Sequence, residues 1–158
     1  MESIKNSFFL AIGLAVILGS FYLVLQKPAP EKYQSQALSP IVKVGDSSIK
    51  VEIANTPEER ELGLSGRESL ETLHGILFIF EQPAIYPFWM KEMNFPIDIV
   101  WIDENWQVVG IEREILPESF PQTFNPSRPV KYVLELNSGE AEFFGIDMGS
   151  QVYFEAQK

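Results

Sequence analysis

Phe88-Trp89-Met90-Lys91-Glu92-Met93-Asn94-Phe95-Pro96-Ile97-Asp98-Ile99-Val100-Trp101-Ile102-Asp103 is the stretch that decides the class of fold. Its second half, Ile97 to Asp103, is apolar at both alternating sets of positions, so a strand there must be covered on both faces. Such a strand belongs inside a barrel or a sandwich. The first half, Phe88 to Lys91, reads as another strand, and Asp103-Glu104-Asn105 turns the chain into a third over Trp106 to Glu112.

Upstream, Ile76-Leu77-Phe78-Ile79-Phe80 is too short for a helix and rich in strand formers, and it reads as a central strand. Ile41 to Val44, the turn residues Gly45 to Ser48 and Ile49 to Ile53 make a hairpin, with Ile49, Val51 and Ile53 alternating against Lys50 and Glu52. Between them, Thr56-Pro57-Glu58-Glu59 supplies an N-cap, a Pro at the first helical position and a Glu at N3, which together form a capping box. A helix from Pro57 to about Leu62 follows, stopped by Gly63 and Gly66, with a further helical turn expected over Ser69 to Leu73 and His74 capping its end.

Downstream, residues 115–129 carry four Pro and two Phe and are expected to be an irregular, functional or mobile loop. Tyr132 to Leu136 is a strand, Ser138 is placed to cap a single-turn helix over Gly139 to Phe144, and Gln151 to Glu155 is a closing strand. The expected class is mainly β: a compact barrel or sandwich of about seven short strands with one or two short helices, over residues 41–158.

Ahead of the domain, Phe8 to Leu25 runs 18 residues without a charge. At about 1.5 Å per residue it covers about 27 Å of a roughly 30 Å hydrocarbon core. The bulky residues Phe21 to Leu25 occupy the positions where a cleaved signal would need small ones, so the expectation is an uncleaved transmembrane helix behind a seven-residue flank. Residues 26–40 contain Pro28, Pro30 and Pro40 among polar residues and read as a tether. The lipid bilayer is thus the first expected partner, with the domain on the extracytoplasmic side of the cytoplasmic membrane.

Composition removes several chemistries. Residues 41–158 hold 20 acids against 9 bases, a net charge of −11, which repels a phosphate backbone and argues against nucleic acid as a partner. With no Cys and one His in the chain, thiolate and multi-His metal sites and disulfides are excluded, and no cofactor or metal is expected. Carboxylates and hydroxyls carry whatever catalysis there is.

Asp98 is the odd residue in its strand, and a carboxylate among apolar neighbours must be paired, hydrogen-bonded or neutral. Three readings are open: a catalytic acid working with Glu112 or Glu135, a ligand of a hard metal together with one of them, or a buried ion pair with Arg67 or Lys91. Arg67, after a Gly-x-x-Gly stretch, is either a ligand-binding guanidinium or the partner of Asp98 or Glu71. Phe88, Trp89, Met90, Met93, Phe95 and Trp101 form either a core or a binding groove, and a partly exposed Trp89 would sit under a roof of Phe120 and Phe124. The ligand-binding candidates are therefore Arg67, Trp89, Met90, Lys91, Asp98, Phe120 and Phe124.

The succession TPEERELGLSGRESL, GILFIF, FWMKEMNFPIDIVWID, YVLELNSG and GIDMG resembles the bacterial and archaeal family DUF192, also called UPF0127, over about residues 41–155. The resemblance implies a compact β-rich domain, often behind a signal sequence or anchor, with no established biochemical activity. The family often has Met where Ser65 and Ile76 stand and Asn where Glu92 stands. The functional expectation is a membrane-anchored module that binds a small molecule or protein of the cell envelope. The alternative is a carboxylate-based hydrolase acting on an envelope glycan.

Overall fold

The computed structural model describes residues 39–156. Nine strands form: β1 (Ile41–Val44), β2 (Ser47–Ala54), β3 (His74–Ala84), β4 (Phe88–Trp89), β5 (Ile97–Ile102), β6 (Val108–Ile115), β7 (Thr123–Phe124), β8 (Val130–Asn137) and β9 (Val152–Glu155). Two short helices accompany them, α1 (Pro57–Leu62) and α2 (Glu140–Phe143). Seven strands make one sheet in the order β6-β5-β8-β3-β2-β1-β9, and β4 pairs with β7 in a separate ribbon.

The sheet is curled. Its edge strands meet at one corner, where Gln107 bridges Gln151 and the Val108 N–H donates to the Ser150 carbonyl (2.9 Å). Apart from that isolated bridge β6 and β9 are not paired, so the result is a half-barrel, not a sandwich. The inner face gathers Val42, Ile49, Leu77, Val100, Leu134, Ile146 and their neighbours into one core, and the outer face carries a second core around Phe78, Met90, Ile97, Ile99, Trp101 and Val133. Strand β5 lies between β6 and β8 with all six residues buried, as a run apolar on both faces apart from Asp98 requires.

The capping box sets α1. The Glu59 N–H donates to Thr56 Oγ1 (3.2 Å), and Glu59 Oε2 accepts from the N–H groups of Thr56 and Asn55 (3.0 Å each). The helix is the crossover of a parallel β2/β3 pair, which the hairpin signals on either side do not announce. Strand β3 is longer than its apolar run because it starts at His74, so His74 begins a strand and caps no helix. Residues 69–71 are irregular and 72–73 form a turn, not the expected helical turn.

The expected strand over Phe88 to Lys91 shortens to β4, and the Pro-rich loop supplies its partner, with Phe88 opposite Phe124 and Trp89 opposite Thr123. Residues 8–25, where a spanning helix is expected, lie outside the described residues; among the described residues no helix is long and apolar enough to cross a membrane.

Candidate functional site

Strand register decides which candidates can meet. In the β5/β8 ladder Asp98 is opposite Leu136 and Ile99 is opposite Glu135. Because side chains alternate, Asp98 points with Val100 to the inner face and Glu135 points with Val133 to the outer one. Asp98 and Glu135 therefore cannot converge on one substrate. Glu112 is opposite Ile99 from the β6 side and is exposed, two strands away from Glu135.

Asp98 is fully buried, and neither Arg67 nor Lys91 is its partner. Its Oδ1 accepts from the Glu114 N–H (2.8 Å) and its Oδ2 from the Ala141 N–H (2.9 Å). Glu114 sits in a left-handed conformation (φ 54°) where the β5/β6 register slips, and Ala141 is in the first turn of α2, whose N-cap Gly139 has no side chain to offer. Asp98 thus takes over a cap that Ser138 does not make, and it fastens β5, β6 and α2 together.

Arg67 pairs with Glu52. The two guanidinium nitrogens reach the two carboxylate oxygens at 2.6 and 2.8 Å, a bidentate pair at the surface. This hydrogen bonding holds Glu52 below the ordinary carboxylate range. Asp103 accepts from the Asn105 and Gln107 N–H groups and so shapes its own turn, and no group of three or more acidic or His side chains suited to a metal occurs among the described residues.

The outer face does contain a site. Glu135 lies at the floor of a cleft of about 230 Å³ walled by Phe78, Phe80, Tyr86, Phe88, Trp89 and Met93, with Arg60 to Ser65 along one side. Glu135 is 5% exposed, and its Oε2 has no hydrogen-bond partner. Burial pushes its carboxyl up to about 8, against a smaller opposing pull from Arg67. At neutral pH the floor of the cleft is therefore mostly a neutral carboxylic acid.

Local structure holds the walls in place. Gly63 (φ 49°) ends α1 directly over the floor, where a Cβ would come 3.2 Å from the Phe78 ring and 3.9 Å from Glu135 Oε2. Only glycine seats the helix this close. Arg60 donates from Nη1 to the Asn55 and Ile79 carbonyls and lies 5.2 Å from the centre of the Phe80 ring.

Across the cleft, the Ser65 hydroxyl donates to the Lys91 carbonyl (2.9 Å), the Gly66 N–H to the Glu92 carbonyl (2.8 Å), and Asn94 Nδ2 to the Arg67 carbonyl (2.8 Å). These bonds fix the turn after β4, and with it Trp89, which remains 51% exposed while its neighbour Met90 is 1% exposed in the core.

Of the residues singled out in the sequence, Phe88, Trp89, Met93 and Glu135 line this cleft, and Met90 packs behind it. Lys91 lies at an adjoining depression with Glu58, Glu61 and Glu92. The aromatic roof is absent: Phe124 supports β4 from the opposing strand and Phe120 is exposed, neither of them lining the cleft. Sequence reasoning missed Phe78, Phe80 and Tyr86 as walls. Their aromatic run in and after β3 reads as core, and only the fold shows that part of it faces an opening.

Solved structures resemble the chain, among them the following two. A protein of unknown function from Novosphingobium aromaticivorans is 28% identical, with a TM-score of 0.68, covering 72% of this chain and 83% of its own. A protein from Sinorhizobium meliloti, described as a candidate transcription regulator, is 29% identical with a TM-score of 0.67, covering 73% of this chain and 91% of its own. No curated protein matches. The family model of DUF192, described as "Uncharacterized ACR", matches residues 40–154, and the chain belongs to that family.

Proposed function

We propose that this protein is a binding module held at the cytoplasmic membrane by residues 8–25, with its domain on the extracytoplasmic side and its ligand in the cleft above Glu135. The observation that carries the binding site is the Glu135 carboxyl itself. A buried polar atom with no partner costs free energy, on the order of 1–3 kcal/mol, and is expected where a ligand completes it. Around it stand aromatic walls and a half-exposed Trp89, the usual composition of a small-molecule site. The tether rests on the 18-residue apolar run and the Pro-containing stretch behind it.

The description of the Sinorhizobium meliloti relative is not carried over to this chain. A domain with 20 acids against 9 bases repels DNA, and its cleft is apolar where a DNA reader is basic. Hydrolysis by Asp98 with a second carboxylate is also set aside, because Asp98 spends both oxygens on backbone amides and faces the inner core.

Native mass spectrometry of the full chain, purified gently from its source, tests the site. A stoichiometric added mass that disappears in Trp89→Ala supports it, and an added mass that Trp89→Ala leaves in place contradicts it.

A further inference from the structure

The charge of the cleft's occupant can be read from what surrounds it. The cleft wall carries one charge of each sign, Arg60 and Glu61, and the depression beside it adds Glu58, Glu92 and Lys91. The Arg60 guanidinium lies by the Phe80 ring and is anchored by two backbone carbonyls, so it stays at the wall beside Glu61. With both signs present at the wall, neither sign of charge is selected there.

An uncharged ligand is. Glu135 Oε2 is buried without a partner, and a neutral carboxylic acid there is a hydrogen-bond donor in search of an acceptor oxygen. Trp89 presents a half-exposed ring on a two-residue strand held by β7, a flat surface for a carbon-bearing ring face. The cleft of about 230 Å³ has room for one ring laid against Trp89.

We infer that the cleft takes a single uncharged sugar ring, stacked on Trp89 and accepting a hydrogen bond from the Glu135 carboxyl. This rests on the cleft being the binding site. The charged groups that face Glu135 are Arg67, held by Glu52 of β2, and Arg60 and Glu61 of α1. From the sheet, β3 presents Ile76 and Phe78, and β5 presents Ile99 with the exposed Glu112 of β6 beyond it. His74 of β3 acts on Glu52, and the turn after β4 brings Lys91 and Glu92 to the adjoining depression. Of the charges, Arg67 is the one that acts on the Glu135 carboxyl, and burial outweighs it.

Three probes with one ring and three charges separate the cases: N-acetylglucosamine, the cationic glucosamine and the anionic glucuronate, each followed by saturation-transfer difference NMR on the full chain at pH 6.5. The expected result is transfer to N-acetylglucosamine, several-fold weaker transfer to the other two, and loss of all three in Trp89→Ala. Above pH 8, where Glu135 ionises, affinity for N-acetylglucosamine falls by about tenfold per pH unit. Glu135→Gln removes the ionisable group, so the binding it shows no longer falls above pH 8.

Trp89-dependent preference for glucosamine or glucuronate overturns the uncharged class and leaves the cleft a binding site. Transfer to none of the three overturns the class as well, and the Trp89 dependence of the native added mass then decides the site separately. Sugar binding unchanged by Trp89→Ala places the sugar elsewhere and overturns the inference.

Discussion

Asp98 and Glu135 lie on adjacent strands of one sheet and point to opposite faces, Asp98 opposite Leu136 and Glu135 opposite Ile99. Both are buried carboxyl groups. One has each oxygen bonded to a backbone amide, and the other has an oxygen bonded to nothing. That difference separates a clasp that holds the fold from a group available to a ligand.

Removing the clasp is costly. Asp98→Ala leaves the Glu114 and Ala141 amides without acceptors in a closed interior, and each buried donor left unsatisfied costs about 1–3 kcal/mol. Urea unfolding is expected to show a loss of about 3 kcal/mol or more, with Asp98→Asn losing less because it keeps one acceptor oxygen. A loss under about 1 kcal/mol for Asp98→Ala would mean that α2 and the β5/β6 slip do not depend on it.

Glu135 couples stability to pH. Its folded value, about 8, stands above the ordinary 4.5, so between those two values the folded state keeps a proton that the unfolded chain has released. Stability from this group is therefore full below pH 4.5, falls as pH rises to 8, and is flat beyond. The slope is about 1 kcal/mol per pH unit. Glu135→Gln is expected to remove it, so the mutant overtakes the wild type in a pH series of urea melts. Arg67→Met removes the one opposing charge and moves the Glu135 midpoint further up.

Adjacent residues of the aromatic stretch separate binding from stability. Trp89→Ala removes a half-exposed ring and is expected to change stability by about 1 kcal/mol or less while abolishing the native adduct. Met90→Ala empties a fully packed position of the outer core and is expected to cost about 2–5 kcal/mol. Thermal melts and native mass spectrometry on the two variants check the contrast.

Glu92 has a left-handed backbone, φ 57°, which an L side chain adopts at a cost and Asn tolerates better. The family resemblance places Asn here. Glu92→Asn is expected to stabilise by a few tenths of a kcal/mol, read as a raised urea midpoint with unchanged slope.

Local signals in the sequence are strong where the chemistry is local. The Thr56-Pro57-Glu58-Glu59 box places α1 to the residue, and the alternation of Ile49, Val51 and Ile53 finds the β1/β2 hairpin. The run Ile97 to Ile102 marks a strand covered on both faces.

What the sequence does not show is register. Asp98 reads as an isolated carboxylate in need of a cation, and its real partners are two amides 16 and 43 residues away that carry no sequence signature. Arg67 is claimed by Glu52, an alternating polar residue of a half-exposed strand. The same holds for the cleft. Glu135 sits within VLELN, a pattern equally suited to either face, and only its place opposite Ile76 and Ile99 sets it beneath Gly63.

The most direct measurement is the side-chain ¹³C titration of Glu135 by NMR on the full chain, assigned by its loss in Glu135→Gln. The account predicts a midpoint near 8, the mark of a buried carboxyl with an unpartnered oxygen. A midpoint near 4.5 would show a solvated or paired carboxylate, and the neutral donor at the floor of the cleft would not exist.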